Sequence, residues 1–527
     1  MTSIVQRKLL SRSIGLLMIG VLFSRFLSFF REWSVAHLMG SSGTTDAYYA
    51  AFMLPDFLNY LLSGGALEAI FLPVFTMYLA AEKTEEGWHV FSTVATFLGG
   101  LLIALIILGE IYAPGLVRII SPGFAPEQKA EVVRLTRIML PAQFFLCIGV
   151  VLNAVQNAYA RFAMPVAGVL IANLGVILGG WFLSPRFGIT GFAVGLLVGS
   201  VFGYFLLQVI AVARLGCVFR LSFDFSHPGF RLFLRLAIPI MLALSIVVTD
   251  EWLLRWFGSY LPAGSISWLT YGKNLMRVPL AVVGHAVGVA TFPFLSQLYA
   301  QGKLEELNRL LNSAAKGLLL LLIPISALSA ALAEPLVYLV FSRTRMSPGD
   351  LHATASVFVM FSVGMAAWGL QNLLSRGFYS LRDMVTPAVV GTLFTLLNLP
   401  IYWYLARHWQ ARGLAAASSW SVVGYTATVF VLLARKTQNH RSNEVLRFSL
   451  KLVAATVPPA IVAHYLASSL ERVMPLQNTF GALGVLVIIA AVGIGLIYLL
   501  ARLLRVRELE SWLRKRSGSL IDSPAES

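Results

Sequence analysis

Fourteen apolar runs, each long enough to cross a bilayer, recur along this 527-residue chain, and no other feature restricts its fold as strongly. A membrane-spanning helix needs about 20 mostly apolar residues. Such runs lie near 13–32, 46–80, 89–112, 136–160, 164–184, 189–213, 232–258, 265–298, 312–341, 353–379, 384–406, 412–435, 446–469 and 478–504. Inside hydrocarbon every backbone N–H and C=O must be satisfied within the protein, and runs of this length satisfy them as helices. The spacing therefore predicts an all-α polytopic membrane protein of about 14 transmembrane helices. Pro55 and Pro279 interrupt the long second and eighth runs, which predicts kinked or partly unwound helices there. Charged residues make up only 12% of the chain, about half the share in an ordinary globular domain, which excludes a soluble enzyme.

Lys and Arg exceed Asp and Glu by 16. In so apolar a chain this points first to lipid or an anionic substrate, and only then to nucleic acid. Counted from an inside N-terminus, 25 of the 40 Lys and Arg fall in inside segments, 11 outside and four within the membrane. This bias predicts that both termini are cytoplasmic and makes most of the surplus a topological collar. Arg7, Lys8 and Arg12 precede the first run as in a signal peptide. That run, however, continues through Phe30, contains Arg25 and lacks a small-x-small cleavage site, so it reads as a retained helix. Cys147 and Cys217 lie far apart with no ligand spacing, and suggest neither a disulfide framework nor zinc.

A repeat runs through the chain at about 220 residues. Ala158-Tyr159-Ala160-Arg161 leading to Pro165 recurs as Phe378-Tyr379-Ser380-Leu381-Arg382 leading to Pro387, with offsets of 220 for the tyrosines and 222 for the prolines. Leu72-Pro73-Val74-Phe75 is echoed by Phe292-Pro293-Phe294-Leu295 at 220, and Gly191 by Gly413 at 222. One shared offset across several helices predicts a duplicated six-helix unit: a lobe over 1–219, a second over 220–445, an appended helix pair over 446–504 and a basic cytoplasmic tail over 505–527. Six is even, so the copies share one orientation, the arrangement of transporters that bind substrate between two lobes and rock to alternate access.

The four intramembrane cations are Arg25, Arg255, Lys273 and Arg277, with Arg31 at the end of the first run. A charge at mid-bilayer costs roughly 2.5–3.5 kcal/mol or more, so each should face a watery cavity or a partner. Lys273 and Arg277 stand at i and i+4 on one helical face. Converging on an inter-lobe cavity, such cations would suit an anionic solute, since guanidinium groups fork onto phosphate oxygens. The competing reading is internal neutralisation: Glu251 is one turn before Arg255, Asp250 is adjacent, Asp46, Asp56 and Glu68 lie in the second run, and Arg31 neighbours Glu32. Asp250 and Asp383 are candidate ligands for a coupling cation, with helix capping before Pro387 the stronger reading for Asp383. His285 is a weaker candidate for proton coupling. Pro122 to Pro126, followed by Glu127 to Arg137, reads as an outside loop and a short interfacial helix. Gly191, Gly195 and Gly199 mark close helix packing. No phosphate-binding GxxxxGK[ST] motif occurs, nor HExxH or GxSxG, so the chain reads as a transporter that is not an enzyme and carries no cofactor.

The run Ser24-Arg25-Phe26-Leu27-Ser28-Phe29-Phe30-Arg31-Glu32, continuing to Gly40 and then Thr45-Asp46-Ala47-Tyr48-Tyr49-Ala50-Ala51-Phe52-Met53-Leu54-Pro55, closely resembles the start of the bacterial lipid II flippases (MurJ, also MviN) of the MOP exporter superfamily. The likeness continues through Gly65-Ala66, Phe71-Leu72-Pro73, Ser121-Pro122-Gly123-Phe124, Ala160-Arg161-Phe162, Ser267-Trp268 with Tyr271, and Gly377-Phe378-Tyr379-Ser380. The resemblance implies two six-helix lobes around a cationic cavity and a C-terminal helix pair forming a groove for a polyprenyl tail. It implies as substrate undecaprenyl-pyrophosphoryl disaccharide-pentapeptide, moved across the bacterial inner membrane for peptidoglycan synthesis. Arg25 and Arg31 would engage pyrophosphate together with Lys273 and Arg277, and Asp46 would be the acid opening the second span. The chain departs from the family at Asn59, where an arginine is usual, at Lys273-Asn274, where an acid and arginine pair is usual, and at Gly64, where a glutamate is usual.

The leading expectation is a lipid II flippase driven by a coupling cation such as Na+ or H+, or by the membrane potential, with membrane lipids and cell-wall synthesis enzymes as partners and no nucleic acid. The alternatives are a flippase for another polyprenyl-pyrophosphate glycan, a cation-coupled multidrug exporter, whose cavity would be acidic, and a non-transporting membrane scaffold.

Overall fold

The computed structural model describes residues 20, 23–63, 67–242, 246–471, 474, 476, 479–504 and 506, and all regular structure among them is helical. Arg7, Lys8, Arg12, Gly64, Gly65, Ala66, the side chain of His285 and most of the tail over 505–527 lie outside the described residues.

The helices are α1 (23–39), α2 (Gly43–Ala51), α3 (Met53–Ser63), α4 (Leu67–Ala80), α5 (Thr84–Ile120), α6 (Pro126–Met139), α7 (Ala142–Ala158), α8 (Ala163–Phe187), α9 (Thr190–Ala213) and α10 (Pro228–Leu242). They continue as α11 (Ile246–Gly258), α12 (Ser265–Ala300), α13 (Leu304–Ala331), α14 (Ala333–Phe341), α15 (Pro348–Ser380), α16 (Val385–Lys436), α17 (Ser442–Leu470) and α18 (Thr479–Leu503).

Nine helices among the described residues are long and apolar enough to cross a membrane. One of them, α16, has 52 residues; as a single rod it would reach about 78 Å, far beyond a hydrocarbon core of about 30 Å. Gln410, at φ 51° and ψ −134°, breaks it where the eleventh and twelfth apolar runs meet. The expected runs not represented among the nine are the first, second, seventh and eighth. These four runs hold Arg25, Arg31, Asp46, Asp250, Glu251, Arg255, Lys273 and Arg277.

The second run divides at Phe52, between α2 and α3, and Pro55 sits in the first turn of α3, where its missing N–H costs nothing. The expected unwinding at Pro279 is not found: α12 stays helical through both Pro279 and Pro293. A membrane helix tolerates proline when neighbouring groups satisfy the freed carbonyl. In the fourth run, Leu140-Pro141 separates α6 from α7. Pro126 takes the N1 position of α6, and Lys129 Nζ donates to the Pro122 carbonyl at 2.8 Å, closing the preceding loop onto the helix.

The backbone repeats more faithfully than the side chains. All described residues with positive φ fall into pairs: Gly40 with Gly264, Glu82 with Gly302, Ala160 with Arg382, Gly188 with Gln410 and Gly216 with Gln438. The separations are 224, 220, 222, 222 and 222 residues. The first turns of α5 and α13 repeat too, each opening with two glutamates, Glu85-Glu86 and Glu305-Glu306, which complement the positive end of the helix dipole.

The chain divides into two units. The first comprises Met1–Leu244 with Pro262–Ser267, and the second Ser245–Leu261 with Trp268–Ser527. The seventh apolar run is thus shared: α10 belongs to the first unit and α11 to the second. In the first unit an aromatic core joins α4, α5 and α10, with Phe71 against Phe91 and Phe233, and Phe97 against Phe230. In the second, α17 and α18 pack together through Ala460, Ala463, Ala482, Val485 and Ile489, with Leu328 of α13 against the same cluster.

The small-residue stripe brings two backbones close together in the first unit. A Cβ on Gly195 of α9 would lie 2.5 Å from the Gly175 carbonyl oxygen of α8, and one on Gly179 would lie 2.5 Å from Gly195 Cα. Only glycine lets the two backbones meet there. Gly195→Val should cost at least about 1–3 kcal/mol through overpacking, visible as a lower melting temperature of the purified protein. Gly100→Ala, with open space around its Cβ, should leave stability level or slightly raised, by up to about 1 kcal/mol.

Candidate functional site

The first unit's charges are built from α1, α2 and α8. Arg31 donates from Nε at 3.0 Å and from a terminal nitrogen at 2.7 Å to Glu32, whose other oxygen accepts from the Tyr49 hydroxyl at 2.8 Å. Its remaining nitrogen reaches Asn173 Oδ1 at 3.4 Å, an oxygen that Ser28 Oγ also approaches. Arg31 is therefore half-buried and largely neutralised. Arg25 differs: it is exposed and makes no ion pair among the described residues. In the second run, Glu68 accepts from Asn157 Nδ2, and the uncharged Asn59 is half-buried.

Asp46, 1% exposed, serves a helix other than its own. Its carboxylate accepts from the backbone N–H of Gly264 at 2.7 Å, from the N–H of Ser267 at 2.8 Å and from Ser267 Oγ at 2.6 Å. These are donors left over at the start of α12, where Gly264 precedes the helix with no side chain to cap it. A carboxylate there also meets the positive end of the helix dipole.

In the second unit, α11 and α12 carry two parallel ionic sets. Lys273, with a side chain 7% exposed, donates from Nζ to Asp250 Oδ2 at 2.6 Å, and the Tyr402 hydroxyl donates to Asp250 Oδ1. The Lys273 ammonium also lies 5.3 Å from the ring centroid of Trp368. One residue further along α11, Glu251 pairs with Arg277 and sits 3.9 Å from Arg255. Arg277 keeps 44% of its side chain exposed, whereas Arg255 is half-buried. Asn274 is half-buried between them in sequence and carries no charge.

Internal neutralisation therefore governs more of the expected cavity cations than solute binding does. Lys273, expected to meet an anionic solute, is buried and committed to Asp250. Asp250, expected as a ligand for a free cation, holds that ammonium. Asp383 accepts from the Thr386 N–H at 2.9 Å and from Thr386 Oγ1 at 2.6 Å, capping α16, and from Lys436 Nζ at 2.5 Å. Tyr402, which completes the Asp250 cluster, carried no sequence signal; only a buried hydroxyl facing a carboxylate marks it.

A family model described as lipid II flippase MurJ matches residues 35–481. The chain belongs to the MurJ family. A Thermotoga maritima protein described as a probable lipid II flippase MurJ is 28% identical over 504 residues, spanning 95% of this chain and 98% of that one. A solved structure of a lipid II flippase MurJ in an inward closed conformation aligns with a TM-score of 0.76 at 22% identity, covering 93% of this chain and 99% of the other. An inward-facing MATE multidrug transporter of the MOP superfamily aligns at 0.65 with 14% identity, over 81% of this chain and 98% of that one. The MurJ-family chain thus has the MOP superfamily fold, and with nine candidate spans among its described residues it is a multi-pass membrane protein.

Asp383 gives this MurJ-family chain a pH-dependent joint at the start of α16. Burial would raise its pKa, but the hydrogen bonds from Lys436 and Thr386 outweigh that and hold it below the usual carboxylate range. A folded-state pKa below the unfolded one stabilises at and above the ordinary value and is lost as pH falls through the depressed one. Asp383→Ala should therefore lower stability by about 0.5–2 kcal/mol at neutral pH, and the gap from the unaltered chain should close in strong acid, read as melting temperature against pH.

Proposed function

We propose that this chain is a lipid II flippase, carrying the undecaprenyl-pyrophosphate-linked peptidoglycan precursor from the cytoplasmic to the outer leaflet of the bacterial inner membrane by alternating access. Membership of the MurJ family supports the substrate, and the excess of Lys and Arg in alternate connectors supports placing both termini in the cytoplasm. Both would suit a carrier that takes its load from the inner leaflet.

The observation that carries the reading is Arg25. An arginine in the first apolar run, exposed and without an ion pair among the described residues, is costly unless it serves a hydrated anion. Its guanidinium can fork onto a pyrophosphate. Arg31, tied to Glu32, would tune the potential around the head group rather than hold it, and in the second unit Arg277 is a partly exposed cation while Arg255 is tied to Glu251. Asp46 would steady the start of α12 through the cycle. No chemical step is asked of the protein: the lipid is moved, not altered, and the drive would come from an ion gradient or the membrane potential.

In cells depleted of their own flippase, expression of this chain should restore lipid II at the outer surface, measured by its accessibility to an externally added degrading enzyme. Arg25→Ala should reduce that exposure by about 10-fold or more, the loss expected when a charge-assisted hydrogen-bond pair is removed. Full rescue by Arg25→Ala would remove the head-group role, and absence of rescue by the well-expressed unaltered chain would remove lipid II as the substrate.

A further inference from the structure

We propose that the Lys273 ammonium is a tethered cation, standing in the second unit where a free alkali cation would otherwise bind. The surroundings are those of a hard-cation site. Asp250 on α11 is 5% exposed and has one oxygen on Lys273 Nζ and the other on the Tyr402 hydroxyl. The Ser418 hydroxyl lies fully buried beside Tyr402. A buried carboxylate thus meets the positive centre through one oxygen and a phenolic hydroxyl through the other, a second hydroxyl lies next to that phenol, and the Trp368 ring faces the ammonium from α15.

Oxygen donors with one net negative charge are what a small hard cation takes. Here the charge is already supplied from α12, by a side chain that cannot diffuse away. Neighbouring groups do not alter the balance: Glu251, next along α11, is held by Arg277 and lies near Arg255. A second cation on Asp250 would face the ammonium across a low-dielectric interior, where like charges repel strongly. It follows that sodium should neither bind at Asp250 nor stabilise the unaltered chain. Removing the ammonium should expose the carboxylate and create a sodium site, because a buried unpaired carboxylate is costly and takes whatever cation it can reach.

The test compares melting temperatures of the purified full-length chain in sodium chloride and in choline chloride at equal ionic strength, and so does not depend on lipid II being the substrate. The unaltered chain should melt alike in both. Lys273→Met should melt lower in choline and regain at least about 3 °C in sodium, the size expected of a ligand bound well above its Kd. The double variant Lys273→Met with Asp250→Asn, lacking both charges, should again melt alike in both salts. Sodium stabilisation of the unaltered chain that Asp250→Asn abolishes would overturn the proposal, as would a folded Lys273→Met with no preference for sodium. Should Lys273→Met fail to fold, the comparison between the unaltered chain and the double variant decides by the same criteria.

Discussion

A charge inside a bilayer must be paired or wet, and the working part of this protein is organised around that demand. Its intramembrane cations lie on α1, α11 and α12, and the structure disposes of most of them by local pairing: Arg31 with Glu32, Lys273 with Asp250, Arg277 and Arg255 with Glu251. The buried Lys273–Asp250 pair adds little net stability, because desolvation offsets its attraction, but breaking it leaves a stranded charge at a cost of about 3–5 kcal/mol. The value of the pairs lies in fixing how α11 meets α12 and in leaving Arg25 and Arg277 as the exposed cations.

The duplicated architecture uses one backbone solution twice and loads it with different chemistry. The paired left-handed residues show how strictly the turns are kept, since Glu82 matches Gly302, and Gly188 matches Gln410, despite the differing side chains. In the first unit, Asp46 spends its carboxylate capping the start of α12; in the second, Asp250 spends its carboxylate on an ammonium. An acid that serves backbone donors and an acid that serves a lysine are both satisfied without a free ion, by different means.

Much of the fold was legible in the sequence because it rests on length and local spacing. The apolar runs located the helices, the 220-residue offset revealed the duplication, and Gly191, Gly195 and Gly199 marked a close backbone contact. Contacts between near neighbours were also legible: Arg31 beside Glu32, Glu251 one turn before Arg255, and Asp383 ahead of Pro387. What escaped was set by distance along the chain. The Asp250 cluster joins residues 23 and 152 positions apart, and nothing in the sequence says that Lys273 turns to Asp250 rather than to solute. The gap between the eleventh and twelfth runs marked the break in α16 but not Gln410 as its left-handed residue, because such a turn is expected at glycine, and the helicity of α12 through Pro279 escaped because a neighbour's help cannot be seen in one segment.

The central claim is that an exposed intramembrane arginine recognises the pyrophosphate of a polyprenyl lipid. The most direct measurement is binding of short-chain polyprenyl pyrophosphate and the matching monophosphate to the purified protein by native mass spectrometry, for the unaltered chain and for Arg25→Ala. The account predicts a clear preference for the pyrophosphate that Arg25→Ala removes while monophosphate binding changes little. Equal binding of the two lipids by the unaltered chain, or a pyrophosphate preference that survives Arg25→Ala, would contradict it.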